Sequence, residues 1–261
     1  MKRDGFALLA VLWVITALTA LTGTGVLVAR LGSDATRNRI LLARAEWARE
    51  ACEGILAAHF AADGTVRAVP PTDLGRATWC RASLDDPSAK INLDSVPLDV
   101  LVELFRAVRV EPTLADSVLA SRRRGPIHDI RQVSGIDSLV AARLAPYVTT
   151  RGTGVINVNS APREVLLTLP GASEETVFLL MSRRAIRPLQ SADELAGALP
   201  RSSRDALLSN YAEFVRATVF SPPQLVATVE GSVRGTAIVV RATLTMVPVP
   251  GRLAVIRRET E

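Results

Sequence analysis

Cysteine and histidine are scarce: Cys52, Cys80, His59 and His128 are the only four in 261 residues. Two separated cysteines give no CxxC spacing and two distant histidines give no HExxH, so no zinc-enzyme signature is present. Lysine is almost missing as well, at Lys2 and Lys90 alone, and arginine carries nearly all the positive charge. The 31 basic residues stand against 26 acidic ones, a formal net charge of +5. Because both signs are interspersed, this reads as an ordinary solvated surface and not as a block built for nucleic acid. There is also no phosphate loop, no nucleophile elbow and no acid pair on a recognisable scaffold, so no residue is assigned a catalytic role and the chain is not expected to be an enzyme.

The informative part is the beginning, "MKRDGFALLAVLWVITALTALTGTGVLVARL". From Gly5 to Ala29 no side chain ionises. At about 1.5 Å per helical residue, that stretch outruns the roughly 30 Å hydrocarbon core of a bilayer. It is too long for a cleaved secretory signal, whose apolar core runs to about 7 to 15 residues. The following "GSDATRNRILLARAEWAREACEGILAAHFAADG" keeps a helical rhythm, with Leu41, Ala45, Ala48, Cys52, Ile55 and Phe60 near one face. One continuous helix is therefore predicted, membrane-spanning over 6–31, amphipathic beyond, and closing at Asp63-Gly64. Charge does not orient it, since Lys2 and Arg3 precede the span while Arg30, Arg37, Arg39 and Arg44 follow it. A short leader is easier to leave in the cytoplasm than the bulk of the chain, which favours a cytoplasmic N-terminus.

The body is predicted to be α+β: an antiparallel sheet domain interrupted by an all-α insertion. Strand-like stretches "TVRAV", "RATWCRASL" and "AKINL" occupy the region up to residue 94, punctuated by Pro70-Pro71 and Asp85-Asp86-Pro87. Helical patterns fill 95–212, and strands return over 213–261 in "EFVRATVF", "LVATVEGSVRG", "TAIVVRATLTMV" and "RLAVIRR". The insertion contains a repeat, about 91–150 and 156–212, in which "INLDSVPLDVL" aligns with "INVNSAPREVL" and both run on to an arginine-rich helix end. Ser95 and Ser160 are expected as N-caps, with Pro97 and Pro162 in the first helical turn. Cys52 and Cys80 are left open between two buried thiols and one bridge; a bridge would close a loop of about 29 residues, worth roughly 3 to 4 kcal/mol.

Two resemblances add to this. "KRDG" followed by "FALLAVLWV" resembles a type IV prepilin leader, which implies cleavage by prepilin peptidase between Gly5 and Phe6 and N-methylation of Phe6. That family usually carries Glu at the fifth mature position, where this chain has Ala10. The Glu pairs with the N-terminal amine of the neighbouring subunit toward the tip. An unpaired carboxylate in mid-bilayer costs on the order of 3 kcal/mol, so a subunit with nothing above it has no use for one.

The ordered set of leader, Ala10, "KINLD", helical pair, "INVNSAP" and closing strands resembles the minor pseudopilin K family of type II secretion (GspK, general secretion pathway protein K) over most of the chain, with Asp94 where Asn is usual. The resemblance implies a pilin-like helix on a sheet and a single-pass protein of the bacterial inner membrane. It also implies a place at the pseudopilus tip, assembled with minor pseudopilins of the I and J types and other pseudopilins. Some members bind calcium; Asp85, Asp86 and Asp94 are the acidic candidates, but a solvated turn is the favoured account of them, because spacing alone does not assemble a set of hard-cation ligands. No other cofactor is expected.

The repeat also resembles helix-hairpin-helix modules, which leaves a membrane-anchored DNA-binding protein of a competence or pilus system as the alternative. Its hairpins, Gly135-Ile136-Asp137 and Gly171-Ala172-Ser173, lack the second glycine and place Asp137, Glu174 and Glu175 where phosphate would sit. Arg122, Arg123, Arg124, Arg183 and Arg184 are the candidate basic patch. Nucleic acid is therefore not the expected partner.

Overall fold

A computed structural model describes residues 4–62, 67–250 and 252–260, with side chains from residue 11 onward. The helix α1, Asp4–Ala62, is one uninterrupted element of 59 residues. Its composition explains its continuity: no proline occurs before Pro70, and leucine and alanine, both good helix formers, recur throughout. The second half of α1 buries Ala45, Ala48, Cys52 and Leu56 completely, which is the face the sequence pattern picks out.

That face lies on a five-stranded antiparallel sheet of β1 (Ala68–Gly75), β2 (Thr78–Asp85), β7 (Leu225–Val233), β8 (Val239–Val249) and β9 (Arg252–Thr260), in the order β1-β2-β7-β8-β9. Burial alternates along β2 and β7, so Cys80, Ala82, Leu84, Leu225, Ala227 and Val229 join Leu244 and Met246 under the helix. The approach is closest at Gly231, where a Cβ would overlap the Ala45 carbonyl oxygen and the Arg49 backbone nitrogen. Only glycine lets the helix backbone rest on the strand there. Arg49, 5% exposed, pairs with Glu53, which Arg258 on β9 also holds at 2.7 Å.

Two features of the sheet differ from the sequence reading. Pro70-Pro71 was expected to separate strands, yet β1 runs through both. It is an edge strand with a register shift between Val69 and Thr72, and an edge tolerates the missing donors. Residues 213–217, the start of "EFVRATVF", were expected as strand and instead belong to a helix, α9 (Tyr211–Ala217). Its inward residue is Phe214, with Tyr211 and Ala217 partly buried a turn to either side, the spacing of a helix packed into a helical core.

The insertion consists of residues 86–224, wider than the expected 95–212. It leaves the sheet after Asp85 and returns at Leu225, and Asp85 and Val226 are paired across β2 and β7. Both ends thus meet the sheet at one point. The stretch "AKINL" belongs to the insertion: β3 (Ile91–Asn92) pairs in parallel with β4 (Val148–Thr149), and β5 (Ile156–Asn157) pairs in parallel with β6 (Thr218–Val219). Each pair closes one repeat. The first repeat encloses α2 (Leu98–Ala107), α3 (Leu114–Arg122) and α4 (Ser138–Leu144). The second encloses α5 (Arg163–Leu166), α6 (Glu174–Arg184), α7 (Ala192–Ala198), α8 (Arg201–Ser209) and α9. One continuous core, including Leu101, Phe105, Leu144, Leu166, Leu180 and Phe214, runs through both.

The direction of the sheet matters for function. Thr78, at the start of β2, lies beside Ile40 and Trp47, nearer the apolar end of α1. Cys80 reaches Cys52 further along. Hence β2 runs away from the apolar end, and the insertion joins the sheet at the end farthest from it.

Candidate functional site

Among the described residues, α1 is the one helix long and apolar enough to cross a membrane, and its most apolar window has a mean hydropathy of 2.0 with none of it buried. Leu12, Trp13, Ile15, Leu18, Leu21 and Val28 are all exposed. The threonines in this stretch do not spoil it for lipid. Thr16, Thr19, Thr22 and Thr24 each donate to the carbonyl one turn back, at 2.8 to 3.0 Å, so no hydroxyl is left unsatisfied in hydrocarbon. Residues 1–3, part of the expected leader, lie outside the described residues. Gly5, Phe6 and Ala10 fall within the backbone of α1, and their side chains lie outside the described part.

Cys52 and Cys80 are brought together as a disulfide, with Cα atoms 5.8 Å apart and both residues buried. The bond ties the second half of α1 to β2, next to the Gly231 contact, since Cys80 and Gly231 are register partners.

The polar residues of the repeat form the same constellation twice. Asn92 Oδ1 accepts from the Asp94 N–H at 2.8 Å, and Asn157 Oδ1 accepts from the Asn159 N–H at 3.1 Å. Asp94 Oδ1 then accepts from the Ile127 N–H at 3.0 Å, as Asn159 Oδ1 does from the Leu189 N–H at 2.9 Å. Arg122 donates to the carbonyls of Leu93 and Val96, the latter at 2.6 Å. Arg184 donates to those of Val158 and Ala161, both at 2.7 Å. Burial pushes both guanidinium groups below the usual arginine range, and Asp94 partly opposes this at Arg122.

The motif "INxD/N" and the distant arginine are therefore one device: the side chains satisfy the carbonyls of a tight turn that the flanking helices bury. Ser95 and Ser160 do not act as caps. Pro97 and Pro162 themselves stand at the N-cap positions of α2 and α5 without a side-chain cap bond, and Ser160 Oγ turns to Asp86 at 2.6 Å. A serine two residues earlier cannot reach the first free N–H when proline already opens the helix.

These contacts bear on the arginine patch and the hairpins. Of its five arginines, Arg122 and Arg184 are committed to backbone carbonyls. Gly171 has φ +72°, and a Cβ on it would lie 2.8 Å from the Ala206 carbonyl, so this hairpin is packed against α8 and not offered to a ligand. The N-terminus of α6 is already filled: Ser173 caps Thr176 at 3.1 Å, and Ser203 donates to Glu175. Asp137 caps α4 through the Val140 N–H at 2.7 Å.

The three acidic candidates are dispersed in role. Asp85 is exposed and pairs with Lys90 at 3.3 Å. Asp86, 5% exposed, accepts from the Ser88 N–H at 2.9 Å, Asn157 Nδ2 at 2.7 Å and Ser160 Oγ at 2.6 Å. Asp94 holds the Ile127 N–H. A cation at Asp86 would have to displace three donors, and among the described residues no group of three or more His, Cys, Asp or Glu side chains is arranged to hold a metal ion. Sequence reasoning missed what Asp86 does, which is to lock the second repeat to the end of the sheet. The half-buried Arg122 and Arg184 were missed too: aligning the two "SRR" ends pairs Arg122 with Arg183 and so does not single out Arg184.

No protein-family model matches the chain, and no curated protein does. Among solved structures, a chain of the crystal structure of the GspK-GspI-GspJ complex from the enterotoxigenic Escherichia coli type 2 secretion system matches with a TM-score of 0.57 at 15% identity, over 87% of this chain and 99% of that one. At that identity the likeness is one of fold. The chain is an α+β protein with the pilin-like arrangement of a long N-terminal helix on an antiparallel sheet.

Proposed function

We propose that the chain is a minor pseudopilin of a type II secretion system, anchored in the bacterial inner membrane by α1 with its N-terminus in the cytoplasm. It stands at the tip of the pseudopilus, where it promotes assembly and caps the filament for protein export across the outer membrane. The observation that carries this reading is the placement of the insertion. A bulk of residues 86–224 hangs on the end of the sheet farthest from the membrane span, where an incoming subunit above would have to dock. Support comes from the fold shared with a chain of a pseudopilin complex and from Ala10, where a shaft subunit needs its glutamate. Its partners are then minor pseudopilins of the I and J types, further pseudopilins along the shaft, and prepilin peptidase as processing enzyme. The role is one of binding and needs no catalytic step.

The test is the mature N-terminus. In a host with prepilin peptidase, mass spectrometry is expected to find residues 1–5 removed and Phe6 N-methylated. An intact Met1 terminus, or cleavage well past Ala29, contradicts the reading.

A further inference from the structure

Just beyond its lipid-facing part, α1 presents an unpaired cationic stripe. Arg30, Arg37 and Arg44 recur every seventh residue, which on a helix returns to nearly the same face about 10.5 Å further along. All three are exposed, and no ion pair among the described residues includes them. Apolar residues share the stripe: Ile40 and Trp47, three places after Arg37 and Arg44, are 51% and 54% exposed.

At its upper end the stripe becomes a groove of about 480 Å³ between Ile40, Ala43, Arg44 and Trp47 of α1 and Leu74 of β1 with Arg76 of the β1–β2 turn. That turn has Arg76 at φ 52° and Ala77 at φ 60°. Gly75 and Thr78 pair across it, so Arg76 and Ala77 form a two-residue hairpin loop whose two φ values are both positive. The turn sets the exposed Arg76 beside the groove, opposite Arg44.

We propose that this groove is the docking site for an acidic amphipathic helix of a partner subunit, one with carboxylates at seven-residue spacing and an apolar residue between them. The inference rests on the tip-subunit reading and names the chemistry of the neighbour. Tryptophan and arginine around an apolar centre are the composition of interface hot spots. Three arginines at heptad spacing match one helix face in length and direction. The stripe also extends along the axis away from the span: on a straight helix Arg44 lies about 21 Å beyond Arg30. Lipid headgroups form a layer of roughly 5 to 8 Å on each side of the core, so a membrane surface reaches Arg30 and leaves Arg44 and Trp47 uncovered.

The experiment uses the full chain in detergent micelles and a fluorescent three-heptad helical peptide with Glu every seventh residue and Leu three places after each Glu. A composition-matched scramble and a Lys-for-Glu version are the controls. Anisotropy is expected to show binding of the Glu peptide that weakens with salt, at least about tenfold loss with Arg37→Glu/Arg44→Glu, and a similar loss with Trp47→Ala. The charge-reversed chain is expected to gain binding to the Lys peptide, which also shows that it is folded. Equal binding of the scramble overturns the proposal, as does indifference to the two substitutions. So does capture of the chain's arginines by vesicles containing 30% phosphatidylglycerol with no peptide binding, or self-association through the same residues in sedimentation. Prepilin peptidase processing of the same preparations reports the underlying reading separately: normal processing without peptide binding removes the docking site and leaves the pseudopilin reading standing.

Discussion

Arg184 and Arg183 are adjacent in sequence and opposite in role. Arg183 is exposed, whereas Arg184 fills the turn of the second repeat with bonds to the Val158 and Ala161 carbonyls. Hydrogen bonds from a charged donor contribute about 1.5–3 kcal/mol, and removing the donor leaves both carbonyls unpaired. Arg184→Met is therefore expected to destabilise the chain by about 3 kcal/mol in urea titrations of the detergent-solubilised protein, while Arg183→Ala stays within about 0.5 kcal/mol.

A second residue-scale test concerns pH. Glu230 on β7 lies between Arg81 and Arg241. The bond from Arg81 holds its carboxyl below the usual glutamate range, burial opposes this, and Arg241 reinforces it. A carboxyl with a depressed folded-state pKa adds stability that is fully present above its unfolded value, near pH ~4.3, and is lost as the pH falls through the folded value. Thermal unfolding from pH 7 down to 3 should show this loss in the native chain, and Glu230→Gln should flatten the acid limb. An unchanged slope in that variant would remove Glu230 from the account.

At the scale of elements, the disulfide is the firmest joint between α1 and the sheet. Cys52→Ala/Cys80→Ala is expected to lower stability by about 3.5 kcal/mol in the chain-entropy picture, read as a lower midpoint in denaturant. The native chain should also change mobility on reducing gels, which the variant should not.

Elements with one dominant period were legible in the sequence. The whole of α1 was readable because its apolar face persists from the span to Phe60, and β7 to β9 were readable from their alternation and turn residues. Elements whose state depends on distant partners were not. β1 keeps Pro70-Pro71 because it lies at an edge, and edges are a property of the assembled sheet. α9 has strand-like composition in "EFVRATVF" and is helical because Phe214 enters a helical core; the spacing of Tyr211, Phe214 and Ala217 was the available cue. The pairing of β3 with β4 and of β5 with β6 joins residues far apart in sequence, which local pattern does not encode.

For the whole molecule, the duplication was visible as aligned phrases, but its purpose was not. Asn92, Asp94, Asn157 and Asn159 prove to be scaffolding: with Arg122 and Arg184 they close the turns inside each repeat, while a shared apolar core joins the two repeats into one crown. Asp86 fastens that crown to the sheet through Asn157 and Ser160. A long apolar helix, a sheet clamped to its second half at Gly231 and Cys80, and a crown at the far end are the three parts on which the proposed tip role rests. The proposed processing site at Gly5 and Phe6 rests on resemblance alone, since its meaning would lie in another protein's specificity.

Co-expression of the full chain with the I-type and J-type minor pseudopilins of the same secretion system, followed by purification through a tag on this chain, tests the central claim most directly. The account predicts one stable complex that contains all three and adds no further subunit above this chain. Recovery of the chain alone, with both candidate partners expressed and folded, would contradict it.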